Sequence, residues 1–594
     1  MQPGATSRTT CLSEGCELGG APKVELVRDL TDIGAPAYVY SAPIPMFTDA
    51  DRYPVTIKTI GSRMRRHPLV CAVIGYVLVL LVWFTPLLFG EQMGEAHVLN
   101  NFYPWLAEQP ASYDDHAHPL EGDVGRVMYP ALKLAGEQVR SGELPIWNDQ
   151  QAGGVHLLGD MQAAAAFPVS WLSYVTSYED AWGPSRALML LIAGFGTFLF
   201  CRRIGISSLS SWLGGLVFML STPLIVWIQF PHGTVFTLLP WLMLAAEGLA
   251  DRPDRRRLAA VAVVVAMSLL AGQPEIALKS TILVSVYLLI RLHQLGRLQI
   301  RSVAAWIAGH LLGVAIAAVA VLPFIDAYSH SVTRFSHGSR ELFIPLSDLI
   351  LLVVPGLEGF ANPNFYGPEQ TYLLVAAYAG LAALVLATVA FVRTRGRGKA
   401  LAIAVPTALA ALAATGAPPI SWILENVPPF SLAVLGRGNH MIAFGVAVGA
   451  AAGIDSIGSR ALVPAKLLKA MTILVAVVAV VAVVERVGGS LDAPRKTLIV
   501  GLGAFLLMAV LTTGLLTAGG RIPRRALFTL AALVFMIDAS PWRTYNAIDP
   551  PAIAFGLRCQ RALNLCRGRF PFLHQYLVEL WRIGRLVRAL GAFF

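Results

Sequence analysis

Charge is what this sequence has least of. Asp, Glu, Lys and Arg make up 14% of its 594 residues, where an ordinary soluble domain carries about 25%, and that scarcity argues against a conventional water-soluble enzyme. Acids are scarcer still than bases, 36 against 46, leaving a formal net charge of +10 and a pI near 9.4. In so apolar a chain the excess is that of Lys and Arg gathered in cytoplasmic loops, so no nucleic-acid partner is expected. Six cysteines are too few for a disulfide scaffold. Cys71 and Cys201 fall inside apolar runs, where a small apolar role is expected, and the Cys11/Cys16 pair lacks the second Cys/His pair that a zinc site needs. No G-x-x-x-x-G-K-[ST] loop occurs, which argues against a P-loop nucleoside triphosphatase.

What fills the chain instead is hydrocarbon. Hydrophobic residues amount to 56%, with a mean hydropathy of +0.62, and about 20 apolar residues suffice to span a bilayer core as helix. The first such run, 68 to 90, begins too late for a cleaved signal peptide. Further runs fall near 184 to 201, 207 to 229, 233 to 250, 257 to 272, 275 to 292, 302 to 325, 371 to 392, 400 to 416, 439 to 457, 467 to 484, 496 to 518 and 525 to 540. The reading is an all-α polytopic membrane protein with about 13 transmembrane helices.

With the N-terminus in the cytoplasm, the inward connections include Arg202-Arg203, DRPDRRR at 251 to 257, RTRGRGK at 393 to 399 and RIPRR at 521 to 525. All are basic, as the positive-inside rule requires. Residues 1 to 67 then read as a cytoplasmic, largely disordered tail, 68 to 541 as the transmembrane domain, and 542 to 594 as a short basic extracytoplasmic tail. The expected location is the cell membrane, multi-pass. Every remaining polar segment falls on the extracytoplasmic face, the longest being 91 to 183.

A loop of that length needs a purpose of its own. From Val124, apolar residues recur at helical spacing, which suggests an interfacial helix. Asp123 directly precedes it. A carboxylate there is either a helix cap or a base held at the mouth of a membrane cavity. In GELPIWN, Gly142 and Pro145 mark a turn, Trp147 suits the bilayer interface, and Asn148 can fix a loop. QAGGVHLLGDMQ follows, ending at Gln162, with glycines that let backbone N–H groups approach a phosphate or simply shape the loop. Asp114, Asp115, His116 and His118 cluster nearby, which keeps a divalent metal open as a cofactor while demanding none. His232, in PHG, sits at an outward span end, where packing is the ordinary role of such a residue.

The pattern D-x5-YP from Asp123 to Pro130, with GELPIWN, QAGGVHLLGDMQ and AAFPVSWL, resembles the first-loop signature of the YfhO family of bacterial membrane proteins. That family belongs to the GT-C class of polytopic glycosyltransferases. The likeness extends more loosely through PHGTVFTLLPWLMLAAEGL, LLAGQPEIAL, LPFIDAYSHSVTR, NFYGPEQTYLLVAAYAGLAALVLA and VPPFSLAVLGRGNHMIAFGVAVGAAAGID.

The resemblance implies a GT-C-like fold and inverting transfer of a sugar from a polyprenyl-phosphate carrier to a cell-envelope glycopolymer or lipid on the outer face. A phosphate leaves without a proton, so one carboxylate suffices as base for the acceptor hydroxyl, where a glycosidase needs two. Cations must hold the departing phosphate. By the same resemblance Asp123 is the base. Arg437 holds the donor phosphate together with His440, which stands where the family tends to have a further Arg. Tyr129, Trp147, Asn148, Gln162 and His232 contact substrate. A transporter or flippase for a lipid-linked envelope precursor is the alternative; it should carry polar or broken-helix positions in the middle of several spans.

Overall fold

The computed structural model describes residues 67–89, 93, 107, 123–151, 153–331, 343, 352–355, 377–393, 398–427, 438–459, 495–518 and 524–539. They are mostly helical. In chain order the helices are α1 (Pro68–Trp83), α2 (Tyr129–Arg140), α3 (Leu172–Val175), α4 (Tyr178–Arg203), α5 (Ser208–Met219), α6 (Thr222–Val226), α7 (Pro231–Phe236), α8 (Leu239–Asp251) and α9 (Arg255–Leu270). There follow α10 (Pro274–Gln294), α11 (Ile300–Ile316), α12 (Ala318–His330), α13 (Leu381–Arg393), α14 (Gly398–Ala414), α15 (Ile420–Asn426), α16 (Asn439–Ser459), α17 (Arg495–Ala518) and α18 (Arg524–Ala539). One two-stranded antiparallel ribbon, β1 (Trp147–Asn148) with β2 (Val155–His156), lies in the first loop.

Four helices among the described residues are long and apolar enough to cross a membrane: Tyr178–Arg203, Pro231–Asp251, Pro274–Gln294 and Asn439–Ile457. The bent pair α11 and α12 makes a fifth if it counts as one span. The sequence suggested about 13 by run length alone, and the difference has identifiable causes. The run 207 to 229 is divided at Leu220 and Ser221, ahead of Pro223, into α5 and α6. The run 302 to 325 turns through 77° between Ile316 and Ala318. Pro68–Trp83, Ser208–Met219 and Gly398–Ala414 are apolar but shorter helices, and the run 467 to 484 lies outside the described residues, as do the two tails.

Ala- and Gly-rich faces allow the helices to approach closely, the usual packing mode where lipid supplies no hydrophobic drive between them. At Gly215 on α5, an added Cβ would strike both Tyr76 Oη of α1 and the Gly194 carbonyl of α4. Around this contact α1, α4, α5, α13 and α16 share one buried core. Outward faces of the helices stay apolar: Val263, Ile307, Leu311, Leu322 and Val510 are all more than half exposed. Water would penalise such a surface and lipid would not.

The two ends of the bundle differ in charge. At one end Arg203 pairs with Asp251, Arg297 donates to the Asp251 carbonyl, and Lys399 Nζ donates to the Ile204 carbonyl at 3.0 Å. The basic connections at 202–203, 251–257, 295–301 and 399 therefore gather together. The first loop occupies the other end, where Gly272 lies against the Met161 carbonyl and His156 Nε2 stands 3.7 Å from Asp326 of α12.

Candidate functional site

The first loop begins, in its described part, with a π-helical turn, Val124–Met128, that runs directly into α2. Val124, Gly125, Met128, Ala131, Leu132, Leu134 and Ala135 face inward. The helix expected from the apolar spacing is present, and it packs on the bundle through Leu132 and on the loop's own small core through Ala131, Leu134 and Ala135. Asp123, which precedes the π-helical turn, is exposed and itself in helical conformation (φ −66°, ψ −31°), with no side-chain capping bond. An N-cap has non-helical angles and accepts from the first-turn N–H groups. Asp123 does neither, so of its two readings the cap loses its geometric basis.

Tyr129, next on the same helix, donates its hydroxyl to Glu179 Oε1, which also pairs with Lys133 Nζ at 3.1 Å. Burial first, and then the Glu179 bond, raise the Tyr129 hydroxyl above the usual range, while the same carboxylate raises Lys133. Trp147 and Asn148 form β1. Asn148 is buried and folds its own turn, accepting from Gln150 N at 3.0 Å; the Trp147 ring meets His156 edge-on at 5.1 Å. Both residues are used in building the ribbon and neither lines the cleft described next.

That cleft lies where the loop meets the bundle. Met128, Leu132, Gln162, Ala163, Ala164, Phe167 and Ser170 come from the loop, Trp182 and Arg186 from α4, and Gln229, Pro231 and Thr234 from the segment joining α6 to α7. The free space is small, about 20 Å3, enough for roughly one water molecule. Gln162, a residue singled out from sequence, is exposed at the rim. Its backbone N–H donates to Asp160 Oδ1 at 3.2 Å. Asp160 is half-buried, and that burial pushes its carboxyl above the ordinary range against the opposing pull of the Gln162 bond.

His232 lies between the lining residues Pro231 and Thr234 yet is itself buried, its ring 4.4 Å from that of Trp227. His440 is fully buried, stacked on Phe236 at 4.3 Å with an interplanar angle of 10°, and its Nε2 meets Ser280 Oγ at 2.9 Å. This arrangement uses His440 as an interhelical packing group with no face toward the cleft. Arg437 lies outside the described residues. So do Asp114, Asp115, His116 and His118; among the described residues no three His, Cys, Asp or Glu side chains are grouped to hold a metal.

The cation that does line the cleft was not anticipated. Arg186 is 4% exposed. Its Nε donates to Ser185 Oγ at 3.1 Å, and Nη1 donates to the Ile228 carbonyl at 3.3 Å and Thr234 Oγ1 at 3.1 Å. Its Cζ sits 4.1 Å from the Trp182 ring, and Trp182 in turn donates Nε1–H to Gln229 at 2.9 Å. Removing a cation from water costs several kcal/mol even after relaxation, roughly by. The cation–π contact returns about 0.5 to 2 kcal/mol and the neutral hydrogen bonds roughly 1 each. No carboxylate faces Arg186 among the described residues. The sequence did carry a signal: a charge inside an apolar run is itself a candidate functional residue.

No family model matches the chain, and no curated protein matches it. The likeness to the YfhO family rests on the quoted motifs.

Proposed function

We propose that the chain is an integral-membrane glycosyltransferase of the GT-C class that transfers a sugar from a polyprenyl-phosphate carrier to a cell-envelope glycopolymer or lipid at the extracytoplasmic face. The observation that carries this reading is a shared helix: Asp123, exposed and with no side-chain capping bond, lies on the helical segment whose Met128 and Leu132 wall the cleft. A base on a rigid element beside a cleft is what transfer to an acceptor hydroxyl requires. Sidedness follows from the charge separation between the bundle's two ends, with the basic end in the cytoplasm.

Transport is the second reading, and the 77° bend between α11 and α12 favours it, since broken helices frequent transporter sites. Against it, the ionisable groups buried elsewhere sit near helix ends: Glu247 and Arg291 toward the basic end, Asp538 at the close of α18. The deciding experiment compares glycopolymers and lipid carriers of the wild-type and deletion strains. Loss of one sugar decoration with accumulation of its polyprenyl-phospho-sugar in the outer leaflet supports transfer. The same loss with the carrier-linked precursor trapped in the inner leaflet would replace transfer by transport.

A further inference from the structure

One buried charge belongs neither to the cleft nor to the basic end. Asp538 on α18 is buried, and its two oxygens accept from the Tyr378 hydroxyl at 2.7 Å and the Leu381 N–H at 2.9 Å. That is the bonding of an ionised, acceptor-only carboxylate, yet no cation faces it among the described residues. The positive end of α13, whose Leu381 N–H it holds, is offset by a negative one: α5 stops at Met219, and its Leu216 and Val217 line the same space. Such ends carry only about half a charge each, so the two cancel and the charge of the carboxylate stands. Asp538 shares its space with a second unsatisfied group. Thr222 of α6 is 2% exposed, and its Oγ1 has no hydrogen-bond partner among the described residues. The free space that both residues line is about 10 Å3, at most that of one water molecule.

We propose that this space is a binding site for one sodium ion, held by the Asp538 carboxylate and Thr222 Oγ1 beside the C-terminal end of α5. The donors are oxygens, the set that a hard cation selects. A single carboxylate neutralises one monovalent charge, whereas a divalent ion would leave a net charge buried in the bundle. A bare sodium ion is smaller than a water molecule, so the space admits it, and the larger potassium ion fits less well. A proton would also neutralise the carboxylate, but it would turn one of two accepting oxygens into a hydroxyl, a weaker acceptor, and leave the space unfilled. The C-terminal end of an interrupted membrane helix is a recurrent ligand-bearing element for sodium, and α5 is interrupted here, at Leu220 and Ser221. Bound there, the ion ties the break between α5 and α6 to the start of α13 and to α18. The site does not depend on whether the chain transfers a sugar or transports a precursor.

The test titrates the full chain in lipid nanodiscs with radiosodium, choline chloride keeping the ionic strength constant, and follows the unfolding temperature in parallel. Saturable binding of about one ion per chain is expected, with the unfolding temperature rising as the site fills. Asp538→Asn should abolish that binding. Thr222→Val keeps the shape and removes an oxygen that no protein group uses, so it should fold as the native chain does and bind sodium about 2- to 10-fold more weakly. No saturable binding by the native chain overturns the proposal, as does native affinity in Asp538→Asn. Potassium binding as tightly as sodium overturns the assignment to sodium. An unfolding temperature that follows pH and ignores sodium overturns the site in favour of a protonated carboxyl, and one that ignores both overturns it in favour of a carboxylate held by α13 alone. Should Asp538→Asn not fold, Thr222→Val decides: weakened binding supports the site, and native affinity overturns it.

Discussion

Replacing Glu247 by Gln should destabilise the protein more than any single surface charge change. Glu247 on α8 is 3% exposed and Arg291 on α10 is 4% exposed. The carboxylate accepts from Arg291 Nε at 2.9 Å and Nη2 at 2.8 Å, and from the Tyr287 hydroxyl at 2.6 Å. Gln keeps the volume but turns an amide N–H2 toward donors and leaves the Arg291 charge buried without its counter-ion. Removing one partner of a buried pair costs about 3 to 5 kcal/mol, whereas the more exposed Arg203–Asp251 pair at the same end should contribute on the order of 0 to 1 kcal/mol. Thermal unfolding in detergent, with Asp251→Asn as the reference, measures the difference. The double variant Glu247→Leu, Arg291→Met removes both charges and should recover most of the loss, because a buried pair and a well-packed apolar pair are often of similar stability. Glu247→Gln unfolding within roughly 1 kcal/mol of the native chain would refute the reasoning, since the charge would then be reached by water.

Three further outcomes are expected. Asp123→Asn should lower sugar transfer by on the order of 100- to 10,000-fold while leaving thermal stability unchanged, because no capping bond exists to lose; an equally active Asn variant removes the base. At Asp160 burial penalises the ionised form, so native stability falls as pH rises through the raised pKa of the folded state. Asp160→Asn escapes that penalty. Its advantage in unfolding temperature should be present at pH 8 and vanish below the ordinary carboxylate pKa of about 4, and an advantage independent of pH would contradict the burial argument. An impermeant maleimide on intact cells should modify Gln150→Cys and spare Lys399→Cys, and the reverse pattern would invert the proposed topology.

Much of the architecture was legible because it follows from local composition. The described apolar runs became helices, Gly142 and Pro145 did introduce a turn, and the described basic connections at 202–203, 251–257 and 295–301 lie together. What run length could not convey is where a helix stops when the chain stays apolar: Ser221 with Pro223, and the junction near Ala317, end helices inside continuous hydrophobic stretches. Burial was equally hidden. His440 reads as a donor-phosphate group beside Arg437, and only the packing of α7 against α10 and α16 places Phe236 over its ring and Ser280 beside it. Arg186 reads as one charge in an apolar run, and its importance emerges when the segment from 227 to 234 folds back across α4. The masking of these contacts is a matter of long-range packing, which no local pattern encodes.

One contact bears on how the chain is assembled. The Leu381 N–H at the start of α13 donates to Asp538 Oδ2 at 2.9 Å, and Asp538 Oδ1 accepts from the Tyr378 hydroxyl at 2.7 Å. Gly380, at φ +103°, lies against the same carboxylate, with its absent Cβ leaving the room. The opening turn of α13 therefore shares its N–H between Tyr378 Oη nearby and a carboxylate from the end of α18, a segment that leaves the ribosome well over a hundred residues later. Synthesis proceeds at about 5 to 20 residues per second, so for seconds that N–H has only its local acceptor, Tyr378 Oη at 2.9 Å, and the carboxylate that braces both groups arrives later. A ribosome stalled before codon 538 therefore holds a chain in which Tyr378 and Leu381 are paired with each other but lack the carboxylate that ties them to α18.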